Sequence, residues 1–249
     1  MKTIVIANGK GGVGKTADSA HIGFHAAEEG LKTLVADLDT GNLSKTMRGH
    51  RLELPASVLF QDDVPVIPEA RGPLSLLHAD RLLANVIYMS IDRAVTNFRV
   101  NLAEFEKQGF DLCVVDTPAS IGIATIAALR CADAVISPVE MEDYSIEGIK
   151  DMMRVIIGAK QHNPKLQFLG IVPNRVDRRN PRQVKHLAEV QEAHGKLLAP
   201  VVVGLRTSVA DALAAGEPVW KSKKTTARAA AAEMRALGDH VLQRMGVAQ

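Results

Sequence analysis

Residues 9–16 read Gly-Lys-Gly-Gly-Val-Gly-Lys-Thr, a spacing that satisfies G-x-x-x-x-G-K-[ST]. Glycines let a backbone wrap closely around phosphate oxygens with its N–H groups pointing inward. A helix that begins near Lys15 adds the positive end of its dipole. In such a loop Gly11, Gly12, Val13 and Gly14 form the cradle and Lys15 reaches the β- and γ-phosphates. The Thr16 hydroxyl binds Mg²⁺, and the Ala17 N–H is available to the α-phosphate. The pattern G-x-G-x-x-G does not fit, because Gly9-x-Gly11 is followed by Val13-Gly14; a dinucleotide site of that kind is disfavoured. Lys10 is a second lysine where a phosphate loop needs one.

Two further segments belong to phosphoanhydride hydrolysis. The run LCVVD (112–116) puts Asp116 at the end of an apolar strand, where it can hold Mg²⁺ through water. TLVADLD (33–39) puts Asp37 and Asp39 at the end of another. Side chains alternate along a strand, so the two should point the same way, and one of them can orient an attacking water. Two lone alternatives fall away. His21 and His25 are four apart on one helix but lack an obvious third metal ligand. Ser120 has no histidine partner for nucleophilic catalysis.

The elements that position these residues are legible as apolar, β-branched runs at 3–7, 33–37, 74–79, 112–116, 134–138, 168–173 and 201–204. Near-continuous apolarity predicts strands buried on both faces. Between them, spacings of three and four predict helices over 92–107 (Val95, Phe98, Leu102, Phe105) and about 226–245 (Met234, Leu237, Val241, Leu242). Strand and helix in alternation predict an α/β fold: one mostly parallel, twisted sheet with helices on both faces and right-handed crossovers. Residues 40–72 are the least regular stretch and the expected flexible or partner-facing region.

At 249 residues, 47% of them hydrophobic, the chain suits a single domain spanning 1–249 with a sizeable core. Aromatic residues make up 4%, too few for stacking to dominate recognition. Cys113 and Cys131 are too few for a disulfide framework, and Cys113 reads as a small core residue. The short apolar run at the start does not suit a signal peptide, and no run reaches the roughly 20 residues that span a bilayer. The expected location is the cytoplasm. A net charge of +2 hides an asymmetry: residues 1–170 hold 17 Lys+Arg against 21 Asp+Glu, and 171–249 hold 13 against 7.

K-G-G-V-G-K-T with a leading lysine is the deviant form of the phosphate loop, and it resembles the ParA/MinD family of ATPases. ANGKGGVGKT, VADLDTGN, FDLCVVDTPAS, ADAVISPVEMEDYSIEGI and LGIVPNRVDRR are each similar to a family segment, so the resemblance covers nearly the whole chain. Within the family the chain looks most like the short plasmid partition ATPases, which lack an N-terminal helix-turn-helix. The resemblance implies that Lys10 crosses a dimer interface to the partner's ATP. It implies that Asp39 positions the lytic water and that Asp37 supports the site near Mg²⁺. Asn174 would hydrogen-bond adenine, with Arg175 stacking nearby. Two departures stand out: DTGN is one residue shorter than the family's D-P-Q-G-N, and Ala119 replaces a second proline.

The basic last third, 171–249, is the candidate DNA-binding face. Arg178, Arg179 and Arg182 fall with Arg175 and Lys185 around one loop and helix start, Arg206 follows a strand, and Lys221, Lys223, Lys224 and Arg228 precede the last helix. By charge alone such a run is as readily a solvated surface. By resemblance it holds DNA through phosphates, without reading sequence.

The function implied is a partitioning ATPase that uses ATP and Mg²⁺, dimerises on ATP and coats DNA non-specifically. It is nucleoid-associated, and a ParB-like centromere-binding partner stimulates its hydrolysis. A MinD-like membrane-cycling ATPase is the alternative; it needs a basic amphipathic C-terminal helix with bulky anchors, and GDHVLQRMGVAQ offers few. A relative of the nitrogenase iron protein would need interface thiolates, and Cys113 lies inside a strand.

Overall fold

The computed structural model describes residues 1–39, 42–142 and 145–247. Among the described residues the strands are β1 (Lys2–Ile6), β2 (Thr33–Asp37), β3 (Arg51–Pro55), β4 (Leu74–His78), β5 (Leu112–Asp116), β6 (Ala134–Glu140) and β7 (Gln167–Asn174). The α-helices among them are α1 (Lys15–Glu28), α2 (Asn42–Thr46), α3 (Ile91–Lys107), α4 (Ile123–Cys131), α5 (Ser145–His162), α6 (Pro181–His194), α7 (Thr207–Ala215) and α8 (Arg228–Met245). The strands form one parallel sheet in the order β3-β4-β2-β5-β1-β6-β7.

Alternation along the strands divides the core into two layers. Ile4 and Ile6 face one side with Val35, Leu76 and Val114, against Ile22 of α1 and Met234, Leu237 and Val241 of α8. Val5 and Ala7 face the other with Leu34, Leu77 and Val115, against Phe98 and Phe105 of α3, Leu129 of α4 and Ile156 of α5. Cys113 belongs to this second layer, where burial pushes its thiol up to about 12.

The strand order fixes where chemistry can occur. From β1 the chain moves outward to β2, whereas β5 is followed by β6 on the far side of β1. The connections leaving β1 and β5 diverge at the carboxyl ends of the sheet, where α/β proteins open a crevice.

Two expectations need correction. Residues 201–204 do not form a strand of the sheet: they run beside β7 with only isolated bridges, Ile171 to Leu198 and Val176 to Gly204. Pro173 accepts from Val203 N at 2.9 Å but has no N–H to return, so the ladder cannot propagate. Conversely, 40–72 contains α2, β3 and short 3-10 turns within its described residues. Its strand escapes periodicity because pairing shifts between Arg51 and Pro55, and Glu53 takes a left-handed φ of 66°.

Candidate nucleotide site

The loop between β1 and α1 is held from below by polar side chains. Asn8 Nδ2 donates to the Pro138 carbonyl at 2.7 Å, and Asn8 Oδ1 accepts from Lys10 N at 2.8 Å. Gly14 precedes α1 at φ 100°, and a Cβ there would meet Asn174 Nδ2 at 2.6 Å, so both backbone and space demand glycine. The first helical bond is Asp18 N to Gly14 O at 3.0 Å. The amides of Lys15, Thr16 and Ala17 therefore have no partner within the helix and mark its positive end.

Lys15 is buried, with Nζ donating to the Lys10 carbonyl at 3.1 Å. Burial lowers its pKa, and the charges of Asp116 and Asp39 oppose that shift. Asp116 accepts from Thr16 Oγ1 at 2.9 Å and from Ser19 Oγ at 3.0 Å. Burial and then the charge of Asp37 push it up to about 7, against the Thr16 and Ser19 bonds and Lys15. The Asp37–Asp116 charge interaction follows from register, since the two residues are paired across β2 and β5. The structure thus brings Lys15, Thr16, Asp37 and Asp116 together. An oxygen-rich, electron-dense cluster of this kind fits Mg²⁺, a hard cation that takes carboxylate and hydroxyl oxygens beside phosphates.

Asp37 has structural partners of its own. Its Oδ2 accepts from Ser44 N at 2.8 Å and Ser44 Oγ at 2.6 Å, and its Oδ1 accepts from Asp39 N at 3.1 Å. β2 ends at Asp37 because that carboxylate binds the turn that follows, so Asp39 lies beyond the strand. Asp39 is still close enough for its charge to act on both Lys15 and Asp37. Asp39 also lines a groove of about 520 Å³ with Leu38, Asp80, Val86, Pro118 and Ile123. The shortened part of its loop, Thr40 and Gly41, lies outside the described residues.

Lys10 projects from the loop and forms an ion pair with Glu142, just beyond β6. Asn174 is buried: Nδ2 donates to Asp18 Oδ2 at 2.8 Å, and Oδ1 accepts from Arg175 N at 2.8 Å. Asp18 is buried too, and burial raises its pKa well above the usual carboxylate range. Arg175 takes a left-handed φ of 53° and turns its Nε to Glu140 Oε1 at 3.2 Å. Sequence reasoning missed Ser19, Ser44, Asp18 and Glu142. Ser19 alone had a local signal, one helical turn after Lys15.

His21 and His25 are built into the interior. His21 Nδ1 donates to the Ala17 carbonyl at 2.7 Å and Nε2 accepts from Val219 N at 3.1 Å, a neutral tautomer whose pKa burial lowers to about 4. His25 Nε2 meets Asp239 at 2.7 Å on α8.

The basic residues of the last third form two groups. Arg178, Arg179 and Arg206 surround a cleft of about 420 Å³ with Thr226. Lys221 lines a different one, of about 600 Å³, with Arg48, His50 and Arg51. Several charges are answered locally: Arg179 by Asp177 at 3.0 Å, Arg206 by Glu233 at 2.6 Å and Lys224 by Asp211 at 2.8 Å. Arg182, Lys223 and Arg228 are exposed.

The protein-family model described as AAA domain matches residues 1–168. The chain is 46% identical to Protein IncC of Escherichia coli over its whole length, spanning 71% of that protein. It is 28% identical to the chromosome partitioning protein ParA of Caulobacter vibrioides, over 88% of this chain and 86% of that one. Its fold is similar to that of cobyrinic acid a,c-diamide synthase from Mycobacterium smegmatis with bound ATP analogue and magnesium, at a TM-score of 0.77 and 27% identity over 100% and 97% of the two chains. Likeness along the full chain, from the phosphate loop to the last helix, leaves one conclusion: the chain belongs to the ParA/MinD family of P-loop ATPases and is a partitioning ATPase.

Proposed function

We propose that this ATPase is an ATP-gated dimer that binds DNA without reading its sequence and releases it when a ParB-like, centromere-bound partner stimulates hydrolysis. Its cofactors are ATP and Mg²⁺, as in the ligand-bound synthase of similar fold. The observation that carries this reading is the pair of lysines on one loop, with Lys15 turned into the site and Lys10 turned out from it. Lys15 neutralises phosphate charge within the protomer. Lys10 reaches the partner's nucleotide, as an arginine finger does in trans.

The remaining roles follow from position. Thr16 and Asp116 would hold Mg²⁺. Asp37 supports the site near Mg²⁺ and holds the turn to Asp39, and Asp39 orients the water. Asn174 and Arg175 border the base. Magnesium supplies Lewis-acid polarisation of the phosphates, and this chain's own residues bind, orient and screen. DNA lies on the basic third, through Arg178, Arg179, Arg182, Arg206, Lys221, Lys223, Lys224 and Arg228, and dimerisation doubles these contacts. On this reading the protein works in the cytoplasm, associated with the nucleoid. The membrane-cycling alternative is disfavoured because the apolar stripe of α8, from Met234 to Met245, is buried in the core rather than presented.

DNA binding measured with ADP, ATP and a non-hydrolysable ATP analogue tests the reading. Tight binding is expected with ATP and the analogue and weak binding with ADP; equal affinity in all three states would sink it.

A further inference from the structure

We infer that Glu142 is a positioning residue for Lys10, a counter-ion that keeps this lysine within its own protomer until a partner's nucleotide competes for it. The inference rests on the proposed role of Lys10 and adds a residue that regulates it.

Lys10 is held at three atoms. Its N–H donates to Asn8 Oδ1 at 2.8 Å, its carbonyl accepts from Lys15 Nζ at 3.1 Å, and its own Nζ pairs with Glu142. Two of these contacts conflict with ATP-bound chemistry. Lys15 must leave the Lys10 carbonyl to reach phosphate, and Lys10 must leave Glu142 to cross an interface. The two lysines are therefore parked in series, and phosphate arriving at Lys15 removes one of the tethers on Lys10.

Exposure makes the pair breakable. The Lys10 and Glu142 side chains are 58% and 47% exposed, a surface ion pair rather than a buried one. Surface pairs are weak and screened by salt, whereas a lysine enclosed against triphosphate in a dimer interface is in a drier, stronger field. Glu142 thus loses the competition once nucleotide is present and wins in its absence. It lies beyond the end of β6, whose Pro138 carbonyl already anchors Asn8, so the counter-ion and the loop share one support. A dimer breaks two such pairs, one per protomer, so the penalty enters the dimer equilibrium twice.

The test is sedimentation of the full chain with a non-hydrolysable ATP analogue across protein concentration, for the wild type, Glu142→Gln, Lys10→Ala and the double variant. Glu142→Gln keeps the size of the side chain and removes its charge. It should dimerise at a concentration lower on the order of fivefold, from two weak surface pairs, with the nucleotide affinity of the protomer unchanged. In the Lys10→Ala background the same substitution should have no effect. An unchanged or raised threshold for Glu142→Gln overturns the inference, as does a parallel shift in nucleotide affinity, which would place Glu142 in the nucleotide site itself. Lys10→Ala dimerising like the wild type would instead refute the role of Lys10, a different failure from a Glu142→Gln that matches wild type while Lys10→Ala stays monomeric.

Discussion

The phosphate end of the sheet and the basic last third are both dense in charge, but they manage it in opposite ways. At the phosphate end the charges are buried and short of compensation: Asp37, Asp116, Asp18 and Lys15 sit inside the protein, and the carboxyls are forced upward in pKa by burial. In the last third the charges are at the surface and several are already neutralised by a neighbouring acid. Buried, under-compensated charge is costly to the free protein and signals a ligand that completes it. Surface charge costs little, so its count says little about binding. The phosphate end accordingly earned its reading from residue types alone, while the basic face depends on which of its cations remain unanswered.

The contrast can be broken most sharply at Lys15. Lys15→Ala should reduce ATP turnover by about a hundredfold or more, the scale for losing a charge-stabilising donor, in a phosphate-release assay. A near-normal rate would mean that the loop does not act on phosphate.

Next in size is the basic face. Lys221→Glu with Lys223→Glu should lower ATP-dependent DNA affinity at least about tenfold and flatten its dependence on salt, since each lost phosphate contact removes about 0.9 from the logarithmic slope. By contrast Arg206→Ala should affect DNA affinity less than about threefold, because Glu233 already holds that guanidinium. Equal losses for the two would show that local pairing does not matter.

A third effect lies in stability. Asp116 is raised to about 7 from an ordinary 3.8, so the native protein holds a proton that the unfolded chain releases between those values. The native state of the ligand-free protein then binds more protons, and stability falls as pH rises from about 4 to 7. Asp116→Asn should flatten that slope and raise the melting temperature of the ligand-free protein by several degrees near neutral pH, while turnover is lost. Thermal melts at pH 5 and pH 7 check it; a steeper slope in the variant contradicts the buried-charge account. The smallest effect is expected for Arg179→Ala: its guanidinium is exposed where it pairs with Asp177, and its loss should leave the melting temperature unchanged.

What the sequence revealed depended on whether a residue's role was local. The phosphate loop was legible because strand, glycines, Lys15 and helix are contiguous. Asp116 was legible because an apolar strand ending in a carboxylate is a local pattern. Ser44 and Asp18 were not, because their partners, Asp37 and Asn174, lie 7 and 156 residues away. Glu142 was hidden for the same reason, 132 residues from Lys10. β3 was missed because an irregular edge strand has no clean period, and residues 201–204 were over-read because an apolar run does not reveal that the strand beside it carries a proline without a donor.

The central claim is that nucleotide joins two protomers through Lys10. Sedimentation of the chain loaded with a non-hydrolysable ATP analogue and Mg²⁺ tests it most directly. The account predicts a dimer for the wild type and a monomer for Lys10→Ala with nucleotide still bound; a monomeric wild type, or a dimer that survives without Lys10, would contradict it.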